Sequence, residues 1–456
     1  MSEVSPKITP MMQQYVEIKR SLGAGTLLFY RLGDFYELFN EDAEIGSRIL
    51  GITLTHRGDA PMAGIPYHAA ESYINKLLKA NFKIAICDQV GVPKPGKLVK
   101  RILSRILTPG TVISDQQIEA KHNSYLLAIH LSKLGLAAAW IEVSTGEFQV
   151  AFSREPDRLI PVLSALSAAE IILSENEQKD WAAHDTRLTE SLQNLAKRSA
   201  LTTLPDFRFD RTSCHSLICN TLEVHTLEGF GIIGELEQVI GPAGALLSYV
   251  AENLRNDHQE LTTIKIYSLN DTMILDDATI NSLELFRSSH FTRDGSLIDA
   301  IDRTITAAGA RLLEQFFLFP LLNIEEIKKR QRCVSGFLEN LLICEKLKQA
   351  LRGTYDLSRI LTRLKNRLKN PRELGAVRTT INSLSPIKKL LGEIRSSEIQ
   401  TINDCISLFP ELQKLLSDAL FDELPIDLST GGYIKDGYNA ELDRLRDIHV
   451  HCKEWI

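Results

Sequence analysis

The sequence predicts a multidomain α/β plus α protein: a small mixed α/β domain over 1–115, a second α/β domain over 116–250 and an all-α domain over 251–456. Three observations carry this. Short apolar runs with period-two alternation crowd the first part, among them Thr26-Leu27-Leu28-Phe29-Tyr30-Arg31-Leu32, and that period marks strands. The second part holds strand candidates at 125–130, 135–143 and 146–152, then a helical stretch over 157–166 and a strand at Glu170-Ile171-Ile172-Leu173, an α/β order. Beyond residue 251 glycines thin out, and Leu357, Ile360, Leu361, Leu364 and Leu368 recur at helical spacing, with Arg359, Arg363, Lys365 and Arg367 between them and Pro371 ending the run. Such a stripe reads as core packing.

In the first domain, Thr9 before Pro10 is a helix-start signal, with the helix running to Arg20. Gly23 and Gly25 interrupt the chain, a strand carries Phe35 and Glu37, and Asn40 is expected to cap a helix over 41–50. A strand at 52–55, a turn through Gly58-Asp59, a loop over 61–67, a helix over 68–81 and a strand over 83–87 follow.

Length and composition bound the function. A chain of 456 residues exceeds one ordinary core. With 44% hydrophobic and 24% charged residues it has a globular composition. No apolar run approaches the roughly 18–20 residues of a membrane span, and Met1-Ser2-Glu3-Val4-Ser5-Pro6-Lys7 lacks a secretory pattern; the cytoplasm is the expected location, with no membrane partner. A net charge of −6 excludes a wholly basic nucleic-acid binder while allowing a local patch. Seven scattered cysteines lack paired zinc spacings, and Cys214-His215 with Cys219 and His225 is the one local cluster. No metal site is expected.

The chemistry concentrates in Gly33-Asp34-Phe35-Tyr36-Glu37-Leu38-Phe39. In a strand, Phe35 and Glu37 project to one side, so a ring and a carboxylate share an edge. The ring is a wedge able to stack on a base, and the carboxylate is an acceptor for an unpaired base edge. A Phe-x-Glu triplet alone is also an ordinary strand feature. Between Lys76 and Arg105, Lys76, Lys79, Lys83, Lys94, Lys97, Lys100, Arg101 and Arg105 face Asp88 alone. This basic stretch suits phosphate contacts, though taken alone a charge run more often marks a solvated face. Gly91-Val92-Pro93-Lys94-Pro95-Gly96-Lys97-Leu98 imitates a nucleotide-binding loop but puts Leu98 where Ser or Thr is needed, and Pro93 and Pro95 lack the required N–H groups.

The surroundings of the triplet decide its meaning. Thr9-Pro10-Met11-Met12-Gln13-Gln14-Tyr15, Leu28 to Phe39, Pro61-Met62-Ala63-Gly64-Ile65-Pro66-Tyr67-His68-Ala69 and Leu107-Thr108-Pro109-Gly110-Thr111 occur in the order of the recognition domain of bacterial MutS, which the chain resembles. Glu142-Val143-Ser144-Thr145-Gly146-Glu147-Phe148 resembles that family's RNase H-like connector, with Glu142 where Asp is usual. Met273-Ile274-Leu275-Asp276, Gly295-Ser296-Leu297-Ile298-Asp299 and Asp356-Leu357-Ser358-Arg359 resemble its α-helical core, or lever. In Thr306-Ala307-Ala308-Gly309, Ala308 replaces a common Met. The resemblance implies that Phe35 intercalates at a mispair and Glu37 contacts the base. It implies double-stranded DNA with mismatches or small loops as ligand and MutL as partner. Lys76, Lys79, Lys94, Lys97, Lys100 and Arg101 become candidate backbone contacts, and Met62, Gly64 and Tyr67 shape the head.

Gly431-Gly432-Tyr433-Ile434-Lys435-Asp436-Gly437 resembles the approach to the family's DNA clamp, and Trp455-Ile456 falls inside a helical pattern. This reads as truncation before the clamp and the ATPase domain. The expectation is therefore a binding chain without catalysis, in which ATP and Mg2+ belong to a missing C-terminal domain. The family's homodimer would be reduced to a monomer or weak dimer. Two rivals remain: a metal-dependent nuclease using Glu142 and Glu147, which otherwise face solvent, and a remnant that only docks partners.

Overall fold

The computed structural model describes residues 9–23, 25–90, 99–114, 119–180, 186–255, 263–290, 292–366, 370–425 and 428–451. The chain divides into two units, Met1–Leu269 with Ile274–Leu283, and Asn270–Met273 with Glu284–Ile456.

Helix α1 (Pro10–Arg20) starts where the Met12 N–H donates to the Thr9 hydroxyl, with Pro10 in the first turn. Strands β1 (Thr26–Leu32) and β2 (Phe35–Phe39) form an antiparallel hairpin, Leu32 opposite Phe35. Gly33 takes φ +59 in the two-residue turn, a backbone state that tight hairpins need. Helix α2 (Glu41–Leu50), β3 (Thr55–Arg57), β4 (Ala60–Pro66), α3 (Ala70–Lys79), β5 (Lys83–Val90) and β6 (Lys100–Leu107) complete the first domain. The sheet order is β3-β4-β2-β1-β5-β6, with only β1 and β5 parallel.

Several local expectations are corrected. Residues 60–66 form a strand rather than a loop, paired with β2 on one side and β3 on the other; Pro61 and Pro66 lie near its ends, where a missing donor is tolerated. The strand expected at 52–55 starts only at Thr55, and all three residues of β3 are exposed, so no alternation announces it. Strand β6 was hidden by its Lys and Arg residues. Asn40 stands at the start of α2 but with φ 53 and no side-chain cap bond; its backbone N–H instead donates to the Pro61 carbonyl.

In the second domain β7 (Tyr125–Ser132), β8 (Gly135–Glu142) and β9 (Glu147–Ser153) form an antiparallel meander. Helix α4 (Pro156–Ala165), β10 (Glu170–Ser174), α5 (Glu175–Asp180), α6 (Thr186–Lys197), β11 (Ala200–Leu204), α7 (Arg211–Thr221), α8 (Ile240–Leu254), β12 (Lys265–Ile266) and α9 (Asp277–Ser282) follow. The sheet order is β11-β10-β7-β8-β9-β12. Strand β12 pairs with β9 beyond residue 250, so this fold runs past the boundary read from the sequence. Trp140, 1% exposed, anchors the centre of β8.

On β7, His130 Nδ1 lies 3.3 Å from Glu177 Oε1, and this carboxylate raises the imidazole pKa against the opposing effect of burial. The pair's contribution to stability is complete below the imidazole's unfolded value of about 6.5 and is lost as pH rises through the higher folded value. Urea midpoints at about pH 5.5 and about pH 8.5 should therefore separate wild type from His130→Asn more at the lower pH. Equal separation at both would contradict the assignment.

The second unit is helical among its described residues, apart from isolated bridges at Thr272–Leu321 and Leu420–Ile434. It contains α10 (Leu297–Ile301), α11 (Ala307–Leu318), α12 (Ile324–Leu338), α13 (Leu341–Leu351), α14 (Leu357–Lys365), α15 (Pro371–Gly392), α16 (Ser397–Asp404), α17 (Pro410–Ala419) and α18 (Ala440–His451). Pro371 occupies the first turn of α15, the longest of these helices. Two apolar clusters form along α15, one around Ile360, Val377, Ile381 and Leu416, the other around Leu347, Ile387, Leu391 and Ile399. The leucine stripe is only partly inward: Leu361 is 48% exposed, whereas Arg359 and Arg363 are buried. Arg363 pairs with Glu373, and Arg311 reaches Asp356 at 2.6 Å. Leu368 and Arg367 lie outside the described residues. Throughout the chain, no described helix is long and apolar enough to cross a membrane.

Candidate nucleic-acid interface

The first sheet is covered unequally. On one face, α2 and α3 pack over Leu27, Phe29, Tyr36, Leu38 and Ile65. On the other, α1 covers Leu28, Tyr30, Phe39 and Cys87. Tyr15 of α1 packs edge-on against both Tyr30 and Phe39, with ring centroids 5.5 and 5.0 Å apart. The helix is fastened through buried Asp42, which accepts from the Leu28 N–H at 2.9 Å and the Tyr15 hydroxyl at 3.3 Å and pairs with Lys19 at 2.7 Å.

Alternation along β2 then produces the candidate edge. Tyr36 and Leu38 face the α2–α3 core, while Phe35, Glu37 and Phe39 share the other side. Phe39 lies under α1, but Phe35, next to the hairpin turn, is 47% exposed. Glu37 is half-buried beside it and accepts from Arg57 Nη1 at 2.8 Å. Gly64 of β4 lies opposite Glu37; a Cβ there would stand 3.8 Å from Glu37 Cγ and 3.9 Å from Phe35 Cδ1. Glycine thus leaves a notch beside ring and carboxylate.

The turn is braced from two sides. The Tyr67 N–H donates to the Asp34 carbonyl at 3.0 Å. The Arg31 guanidinium lies 3.5 Å from the centre of the Tyr67 ring, which remains exposed. Beneath, the Tyr36 hydroxyl donates to Asp88 at 2.7 Å. Burial raises the Tyr36 pKa and Asp88 adds to it, so the phenol stays a donor. Burial also pushes the Cys87 thiol up to about 12, making it an inert core group.

The basic stretch does not form one patch. Lys76 and Lys79 are exposed on α3, whose apolar side packs on the face opposite Phe35 and Glu37. Lys100 is exposed at the start of β6. Arg101 is turned inward: 8% exposed, it donates to the Arg31 and Val99 carbonyls and stacks 5.1 Å from the Tyr30 ring. Its guanidinium braces the hairpin and is a poor candidate for phosphate. Lys94 and Lys97, with the whole 91–98 segment, lie outside the described residues. Sequence reasoning missed Arg57, whose approach to Glu37 depends on the β3–β4 turn and has no local signature.

The other sequence candidates resolve differently. Glu142 is fully buried rather than solvent-facing, and its carboxylate accepts from Ser144 Oγ at 2.7 and 2.8 Å and from the Thr145 N–H at 2.6 Å. It caps the β8–β9 turn, which removes it from a metal-binding pair with Glu147. Cys219 Sγ lies 3.7 Å from His215 Nδ1 and contacts the His225 carbonyl, not its ring; among the described residues no three His, Cys, Asp or Glu side chains gather as metal ligands. Of the described thiols, Cys87, Cys214 and Cys219 are buried, whereas Cys333 and Cys344 are half-buried and Cys405 exposed.

A mixed α/β head with an uncovered aromatic–carboxylate edge, followed by a second mixed sheet and a helical unit, is the architecture into which the comparisons fit. Residues 9–116 match the family model described as MutS domain I, 124–265 match MutS domain II and 278–454 match MutS domain III. The chain belongs to the MutS family. Proteins named DNA mismatch repair protein MutS from Halothermothrix orenii, Syntrophobacter fumaroxidans and Alkaliphilus oremlandii are 34%, 36% and 35% identical to it. Each alignment covers 99% of this chain, and 50%, 50% and 52% of the respective relatives. The chain thus spans about half the length of the curated relatives it matches.

Proposed function

We propose that this chain recognises mispaired or unpaired bases in duplex DNA, with Phe35 as a wedge and Glu37 as the base acceptor. The observation that carries the reading is the pairing itself: an exposed ring and a carboxylate at an uncovered end of a sheet face, beside a tight turn. Unstacking one base step costs a few kcal/mol, and a mispaired step resists less, so the wedge enters there first. Glu37 is repelled by phosphates, which penalises a matched duplex; a mispaired base offsets that penalty by donating a hydrogen bond. Arg57, already on Glu37, moderates the repulsion and holds the carboxylate in place. Lys76, Lys79 and Lys100 remain candidate backbone contacts, with Lys94 and Lys97 carried over from the sequence.

The second domain serves as an RNase H-like connector docking MutL, and the third as part of a helical lever. ATP and Mg2+ chemistry and homodimerisation are assigned to the half of the relatives that the alignments do not cover, and the role read for the matched domains is binding, in the cytoplasm. The turn-capping role of Glu142 leaves the nuclease reading without its first ligand.

Glu37→Gln tests the charge on the acceptor. The amide keeps an acceptor oxygen and loses the charge, so binding to a matched duplex should tighten and the mismatch preference narrow by about 5-fold, the effect of removing roughly 1 kcal/mol of charge repulsion in water. An unchanged ratio of the two dissociation constants would remove charge repulsion by Glu37 from the mechanism.

A further inference from the structure

The segment Thr108-Pro109-Gly110-Thr111 has no part in that reading, yet it touches a buried carboxylate that accepts from four donors. Glu170, the first residue of β10, is fully buried. Its Oε2 accepts from the Thr108 hydroxyl and from the Gly110 N–H at 3.2 Å. Its Oε1 accepts from the Thr202 hydroxyl at 2.5 Å and the Tyr249 hydroxyl at 2.6 Å, with Lys83 Nζ 3.7 Å away. Thr108, Gly110 and Lys83 belong to the region matching MutS domain I, whereas Glu170, Thr202 and Tyr249 belong to that matching domain II. One carboxylate therefore gathers donors from both.

The seat is closely built. Thr111 Oγ1 accepts from the Thr108 N–H at 3.1 Å and lies 2.9 Å from its hydroxyl. A Cβ at Gly110 would stand 2.6 Å from Leu126 Cδ1 and 2.9 Å from Glu170 Cβ, so glycine is needed there. Burial and Glu170 both raise the Tyr249 pKa, keeping it a donor. Burial lowers that of Lys83 while Glu170 opposes the shift. Lys83 opens β5 and lies opposite Thr26, where β1 begins. From Thr26, β1 runs directly to the turn that precedes Phe35.

We propose that Glu170 is a positioning residue that latches the recognition sheet to the connector, its carboxylate seated in the Thr108–Gly110 turn, and so fixes the direction in which Phe35 is presented. A buried carboxylate with many donors suits this role, because any rotation of the head strands several polar groups away from water at once. The functional part rests on the mismatch reading; the latch itself does not.

The test uses Glu170→Gln, Thr108→Val and Thr108→Ser in the full chain, with two measurements: amide hydrogen exchange, and dissociation constants for a G·T duplex and its matched control. In Glu170→Gln and Thr108→Val, exchange over 99–114 should rise while the β7–β9 meander keeps wild-type protection. The mismatch preference should fall roughly 2- to 30-fold, the range for residues that couple sites without touching ligand. Thr108→Ser restores the hydroxyl and should behave as wild type. Should Glu170→Gln fail to fold, the two Thr108 variants decide. Wild-type exchange over 99–114 in Thr108→Val overturns the latch; raised exchange with an unchanged preference overturns the positioning role. A wild-type chain without any mismatch preference would remove the functional reading, and exchange would still decide the latch.

Discussion

Phe35→Ala should abolish the preference for a G·T mismatch over its matched control while leaving salt-sensitive binding to both duplexes. Stacking of a base on an aromatic side chain is worth about 1–3 kcal/mol by alanine substitution, which corresponds to roughly a 5- to 150-fold loss of affinity for the mismatch. The matched duplex does not admit the ring and should lose little. Because the ring is 47% exposed at the end of β2, its removal leaves the core intact, and unfolding midpoints should stay near wild type. Binding measured at low and at moderate salt separates the two contributions, since phosphate contacts weaken with salt and stacking does so far less. An undiminished preference in Phe35→Ala would falsify the wedge. Equal binding of both duplexes by wild type and variant alike would leave only an electrostatic footprint in this chain.

Gly244→Ala should be a strongly damaging conservative change in the connector. A Cβ at Gly244 would stand 2.3 Å from Cys214 Cβ, 2.5 Å from its Sγ and 2.7 Å from its Cα. Helices α7 and α8 meet there backbone to backbone, so no side-chain rotation relieves the overlap and the helices must part. Overpacking of this kind costs about 1–3 kcal/mol, and the rigid neighbour puts Gly244→Ala at the upper end. A Cβ at Gly229 would meet nothing within 4 Å, and Gly229→Ala should stay within about 0.5 kcal/mol of wild type. Urea unfolding of both variants checks the contrast; equal midpoints would show that α7 and α8 separate without penalty.

Much of the fold was legible because burial follows local periodicity. The β7–β8–β9 meander, α4 and β10 fall within a residue or two of where alternation and spacing put them. Helix α1 begins at the Thr9-Pro10 signal, and the shared side of Phe35 and Glu37 follows from period two alone. Legibility failed where charge or exposure interrupts the period. Strand β6 carries Lys100, Arg101 and Arg105 among its apolar residues, β3 is exposed along its length, and α14 buries Arg359 and Arg363 while exposing Leu361.

By itself, then, the sequence determined the α/β, α/β, helical order, the placing of Phe35 and Glu37 on one side of a strand, and the motifs that place the chain in its family. Only the tertiary structure decided the fate of the charged residues. Arg101 turns in to the Arg31 carbonyl, Lys83 and Glu170 approach each other from different domains, Glu142 caps its own turn, and Arg57 reaches Glu37. The reason is physical: an apolar side chain is buried by its place in a local pattern, whereas a charged one is buried only where partners distant in sequence supply the hydrogen bonds that replace water.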